Sequence, residues 1–224
     1  MDTDRAQLLA LMRGHFDQVD AAQFYRDLDE KPSVVLVREA ASSRICGFST
    51  ITYFDMVVAG ELVGAVFAGD TVIEPQYWGH SAWVYAWARH SFEIARHASA
   101  THVYLLLLTS THRSYRFMPG FFQTFYPRPD VAIPKDVQAR LDALTLRKFP
   151  TEYDAARGIV ALHKPTPVRP ERNLYGSAPG DTVEDRFFVD RNPGYLRGDY
   201  LACIAEFTWE NLTALGRRVV SERA

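Results

Sequence analysis

The sequence predicts an α/β fold with a mixed, mostly antiparallel central sheet flanked by helices and extended at its C-terminal side. Three observations lead there. Ser33–Glu39, Ile45–Val58 and Glu61–Glu74 are successive β-branched and apolar runs joined by short polar or glycine turns, the pattern of an antiparallel meander. A helical stretch then leads to a further apolar run, His102–Leu108, which requires a crossover and a locally parallel pair. Later strand-like runs at 158–162 and 199–207 would extend that sheet.

Taken in order, Asp2 or Thr3 can cap a helix to about Phe16, with Leu8, Leu9, Met12 and Phe16 as its apolar side. A short helix is expected at Ala21–Leu28, ended by Pro32. Ala41–Arg44 reads as a polar turn and Ala59-Gly60 as a hairpin turn. Glu61–Ala98 is the organising stretch: ELVGAVFAGDTVIEP is a buried strand, QYWGHSA a turn, and WVYAWARHSFEIARHA an amphipathic helix. Trp83, Trp87, His90 and Ile94 fall on one side of that helix. A strand that feeds a turn into a helix start presents unpartnered N–H groups and a dipole that favours an anion. After residue 108, Thr109–Thr111 can cap a helix that Pro119 must kink or restart as a new turn, with Tyr115, Met118, Phe122 and Phe125 sharing a face. Lys135–Arg147 is helical, the Pro- and Gly-rich run 164–181 is a loop, and Thr182–Val189 is a short helix. Asn192-Pro193-Gly194 is a turn, and Thr208 is expected to cap a last helix with Glu210 and Asn211 in its first turn.

The 224 residues, 47% of them apolar, suffice for one large domain, with about 130–200 as an elaboration on the acceptor side. The net charge of −2 is spread without a basic block, so nucleic acid is not an expected partner. The interrupted N-terminal apolar run is neither a leader nor a membrane span, and a cytoplasmic protein without membrane association is expected. Cys46 and Cys203 are expected as free buried thiols.

Gln76-Tyr77-Trp78-Gly79-His80-Ser81 resembles the Arg/Gln-x-x-Gly-x-Gly/Ala signature of the GNAT superfamily of N-acetyltransferases, with Ser81 departing from the usual Gly or Ala. The resemblance implies a GNAT-like fold and acetyl-CoA as cosubstrate. The loop residues Trp78, Gly79, His80, Ser81 and Ala82 would cradle its pyrophosphate, and the backbone of Val72, Ile73 and Glu74 would pair with pantetheine. It also implies a splayed gap beside the strand ending at Glu74, and a Tyr near the thiolate. Tyr115 precedes Gly120-Phe121 at a spacing one residue longer than the family pattern.

Acyl transfer to an amine needs a base, an oxyanion donor and an exit for the thiolate. Asp70, a carboxylate in an apolar strand, is the first candidate base, its proton affinity raised if it is buried; a structural bulge at Gly69-Asp70-Thr71 is the plain alternative. His112 is the second candidate, as base or acid, with Glu74 as a third. The scattered histidines lack a carboxylate to complete a metal set, and no serine stands in a nucleophile elbow. The expected activity is acetyl transfer to a small-molecule amine by direct attack in a ternary complex, in a protein that could form a homodimer. The alternatives are transfer of a longer chain from acyl carrier protein, through aromatics around Phe117–Tyr126, and a catalytically inactive GNAT-like binding module.

Overall fold

The computed structural model describes residues 2–77, 80, 82–162 and 180–221. These gather into two compact units, one of 2–52 and 68–91, the other of 53–67, 92–162 and 180–221. Among the described residues, seven strands form one sheet in the order β1-β2-β3-β4-β7-β6-β5. They are β1 (Ser33–Arg38), β2 (Ile45–Val58), β3 (Glu61–Ile73), β4 (His102–Thr109), β5 (Tyr153–Asp154), β6 (Ile159–Val160) and β7 (Tyr200–Glu206). The sheet is mixed and mostly antiparallel, as expected. The pair β3/β4 is parallel, and β1/β2, β4/β7, β5/β6 and β6/β7 are antiparallel.

In the first unit, α1 (Asp2–His15) and α2 (Ala21–Asp29) cover one face of the strands. Leu8, Leu9, Leu11, Phe24 and Leu28 pack on Ile45, Phe48 and Val72, with Met12 and Phe16 at the margin. The Asp20 side chain accepts the Gln23 N–H and starts α2. The β1/β2 ladder runs from Ser33↔Ile51 to Val37↔Gly47 and shifts before Arg38↔Ile45, so Cys46 is the bulged residue. Cys46 and Cys203 are both free and buried.

In the second unit, Val63, Ala65 and Phe67 of β3, Tyr104 and Leu106 of β4, and Ala202 and Ile204 of β7 alternate onto one face. That face packs on Leu141 and Leu144 of α6 (Lys135–Lys148). Leu105, Leu201, Cys203 and Ala205 are also buried, so β4 and β7 are covered on both sides, which is why their runs read as continuously apolar. The β3/β4 register covers Val63–Phe67 with His102–Leu106, and β3 runs on to Ile73.

Three expectations change. The helix after the turn, α3 (Ala82–His97), buries Trp87, Ala88, Ser91 and Ala95, whereas His90 is exposed and its Nε2 lies 3.0 Å from the Ser33 hydroxyl. The apolar side is therefore rotated by a residue from the one the tryptophans suggested. The stretch past Thr111 forms α4 (His112–Tyr115) and then a new turn, α5 (Phe117–Phe121), which contains Pro119, one of the two outcomes expected of that proline. Thr208 does not cap the last helix. Its hydroxyl accepts Asn211 N in a turn, and Thr213 accepts Gly216 N to start α8 (Ala214–Ser221). Strand β5 was not foreseen, because two residues show no period. Most of the loop run 164–181 lies outside the described residues, while the short helix expected at Thr182–Val189 is α7 (Val183–Arg191), capped by Thr182.

Candidate active site

The end of β3 is held by a polar clasp in the first unit. Arg44 donates to both oxygens of Glu74, at 2.6 and 2.9 Å, and Gln76 Nε2 donates to the same carboxylate at 2.8 Å. The Tyr77 hydroxyl donates to Glu39 at 2.7 Å, and Ser42 donates to Glu39 from the other side. The bonds from Ser42 and Tyr77 hold the Glu39 carboxyl below its ordinary range, and the same contact pushes the Tyr77 phenol up. A one-turn 3₁₀ helix, Pro75–Tyr77, is thereby fixed to β1 and to the β1–β2 turn. From α1, His15 lies 3.0 Å from the Leu11 carbonyl by Nδ1 and 3.1 Å from the Ile73 carbonyl by Nε2.

Of the expected cosubstrate-binding residues, Val72 and Ile73 are buried at the strand end. Glu74 is committed internally: its N–H donates to the Cys46 carbonyl and its own carbonyl accepts Tyr77 N, both at 2.9 Å. Its backbone N–H and carbonyl are thus both engaged within this unit, and its carboxylate is paired with the Arg44 guanidinium. His80 is exposed, donates its N–H to the Tyr77 carbonyl, and sets its ring 6.0 Å from that of Tyr77. Ala82 opens α3, whose first turn has no acidic residue to offset the dipole. Trp78, Gly79 and Ser81 lie outside the described residues. Asp70 is exposed on β3, so the burial that would have raised its proton affinity is absent.

His112 and Tyr115 belong to the second unit. Thr111 and Ser114 form a reciprocal capping box that starts α4 directly after β4. This box presents His112 at the first helical position, only 5% exposed, with Nδ1 buried and without a partner. Burial pushes the imidazole below its ordinary value, opposed by the Asp185 charge and aided by Arg113 and Arg116. Tyr115 is fully buried, donates its hydroxyl to the Pro127 carbonyl at 2.8 Å, and packs against Phe125, Phe187 and Phe188. Its phenol is strongly raised by burial, and its use as an acid requires that the bond to Pro127 be given up. Phe117 stacks on Phe121 at 4.3 Å, and Phe121, Phe122 and Phe125 are all buried.

The structure thus groups Asp70, Val72, Ile73, Glu74, His80 and Ala82 in one unit, and His112 and Tyr115 in the other. Sequence reasoning missed Arg44, Glu39 and His15, whose partners are 30, 38 and 58 residues away. It also missed Arg116 and Asp185. Arg116 donates to Asp185 through Nε at 2.8 Å and again through one terminal nitrogen. One signal was present: Arg116 stands four residues after His112 and so on the same side of the turn.

No protein-family model and no curated protein matches the chain. Its structural neighbours include GNAT-family acetyltransferases, some crystallised with CoA or acetyl-CoA. A probable N-acyltransferase from Enterococcus faecalis aligns with 16% identity and TM-score 0.43 over 55% of this chain and 31% of its own. A GNAT-family N-acetyltransferase from Escherichia coli, in complex with CoA, aligns with 19% identity and TM-score 0.39 over 54% and 64%. A Mycobacterium tuberculosis protein, also in complex with CoA, aligns with 10% identity and TM-score 0.42 over 92% and 95%. The chain spans less than two thirds of the length of the first two. Similarity this remote carries no argument about this chain's chemistry.

Proposed function

We propose that this chain is an acyl-CoA-dependent N-acyltransferase of GNAT type. It transfers acetyl from acetyl-CoA to an amine of a small molecule by direct attack in a ternary complex. The observation that carries the reading is the end of β3. The strand continues past its parallel register with β4, is pinned by the Arg44–Glu74 and Tyr77–Glu39 bonds, and leads into a helix whose first turn has no carboxylate. A diphosphate fits such a place, because it can accept the orphan N–H groups and complement the dipole. The motif Gln76-Tyr77-Trp78-Gly79-His80-Ser81 supplies the residues for it.

In the reaction, the amine nitrogen bonds to the thioester carbon, the C–S bond breaks, and CoA leaves as a thiolate that takes up a proton. The amine must lose one. We assign that proton to His112: burial keeps its imidazole neutral near pH 7, with a lone pair to offer. Asp70 is exposed and Glu74 is held by Arg44, so neither shares the burial of His112 with an unpartnered ring nitrogen. Release of the CoA thiol across a panel of amines tests the assignment. His112→Asn should lower kcat by roughly 10²–10⁴-fold and leave the Kd for CoA unchanged. An unchanged kcat in the folded variant removes His112 from the chemistry, and a wild-type chain that does not bind CoA removes the whole reading.

A further inference from the structure

A buried carboxylate holds an exposed cation beside His112. Asp185 is wholly buried, whereas the Arg116 side chain is 46% exposed. The pair is side-on: Nε and one N–H of a terminal nitrogen face Asp185. A guanidinium has five N–H groups, so three remain, and those on the two terminal nitrogens form a second fork pointing away from Asp185. Among the described residues no acceptor takes them. The Thr182 hydroxyl at the cap of α7 accepts the Asp185 backbone N–H, which fixes the first turn that carries Asp185. Gly180 lies so close that a Cβ there would stand 2.6 Å from Asp185 Oδ2 and 3.1 Å from Arg116. The cation is therefore set in place before any ligand arrives. Burying a carboxylate is costly, and a surface arginine needs no such anchor merely to be soluble. Arg116 and His112 are four residues apart and share a side of the same turn. The second, independent sign of a ligand is His112 itself, nine-tenths buried with Nδ1 unpartnered.

We propose that the free fork of Arg116 binds a carboxylate of the acceptor, so that the acceptor is an amine that also carries a carboxylate: an amino acid in the broad sense. The proposal rests on the acyltransferase reading for its word "acceptor". The carboxylate takes the two outward N–H groups, while the amine end is left to His112. Arg116 is then a specificity-determining residue and Asp185 the residue that positions it.

The test pairs each of a set of α-, β- and γ-amino acids with its primary amide, which differs only in losing the charge. The Arg116 Nε–H resonance of the ¹⁵N-labelled full chain, identified by its loss in Arg116→Lys, reads binding without turnover. Thiol release from acetyl-CoA reads turnover. The acids should move the resonance and the amides should not. For the best acid, kcat/KM should exceed that of its amide by about tenfold or more, a preference that Arg116→Lys should lower toward parity. Acid and amide acting alike in both measurements overturns the inference, even if thiol release stands and the acyltransferase reading with it. So does a resonance moved by CoA alone and by no acid, which gives the fork to the phosphates of the donor. Acids that shift the resonance in a protein without thiol release would uphold the carboxylate site and sink the acyltransferase reading instead.

Discussion

Arg116 and Asp185 share one ion pair but stand differently toward water, and the difference predicts unequal mutants. Arg116→Met leaves a carboxylate buried without its partner, and should destabilise by roughly 3–5 kcal/mol. Asp185→Asn leaves a half-exposed guanidinium that water can rehydrate, so the loss should be smaller, about 1–2 kcal/mol after that screening. Urea unfolding of both variants checks the order, and equal losses would mean that Arg116 is less exposed than described. His112 gives a pH signature. Its folded value is depressed by burial, so the folded chain resists a proton that the unfolded chain accepts. Its contribution to stability is fully present above the ordinary value of 6.5 and is lost as pH falls below it toward the depressed folded value. His112→Asn should flatten that part of the stability–pH curve relative to wild type, because Asn does not titrate. Curves that stay parallel would mean that His112 is as hydrated folded as unfolded.

At the scale of elements, local chemistry decides where each one starts and turns. Ala59 and Gly60 sit at φ of 50° and 88°, the left-handed pair that a two-residue hairpin requires. Glycine takes this without strain and alanine does not, so Ala59→Asn should stabilise the chain by roughly 0.5–1 kcal/mol in thermal unfolding. No gain would place the strain elsewhere. Thr213→Ala should cost about 1 kcal/mol as a lost cap, and Thr208→Ala no more than roughly 0.5 kcal/mol. The contrast bears on what the sequence could reveal. The long strands β2 and β3 and the Ala59-Gly60 turn were legible because their β-branched runs and turn residues act locally. The start of α8 was not, because Thr208 and Thr213 offer the same cap and only packing chooses between them. The buried side of α3 was judged a residue off for a similar reason: aromatic size drew attention to Trp83 and Trp87, while Ala88, Ser91 and Ala95 are buried beside Trp87 and His90 is exposed. Among the described residues, no helix is long and apolar enough to cross a membrane.

For the molecule as a whole, the site was legible only where its chemistry is contiguous. The turn after β3 shows itself in six consecutive residues, whereas the clasp of Arg44, Glu39 and Glu74 joins positions that only the folded sheet brings near. Asp70 drew attention by standing in an apolar run, and sequence alone could not tell that its side chain faces outward. His112 is the converse case, a scattered histidine whose proposed role rests on its burial and on the charges of Asp185 and Arg116 acting on it. The central claim is that the end of β3, its turn and the start of α3 hold the CoA moiety. Hydrogen–deuterium exchange of the full chain, with and without saturating CoA, tests it most directly. The account predicts slowed exchange concentrated in peptides covering 68–91, because bound phosphates would occupy the N–H groups at the start of α3. Saturated binding with protection confined to other segments, or no protection at any CoA concentration, would contradict it.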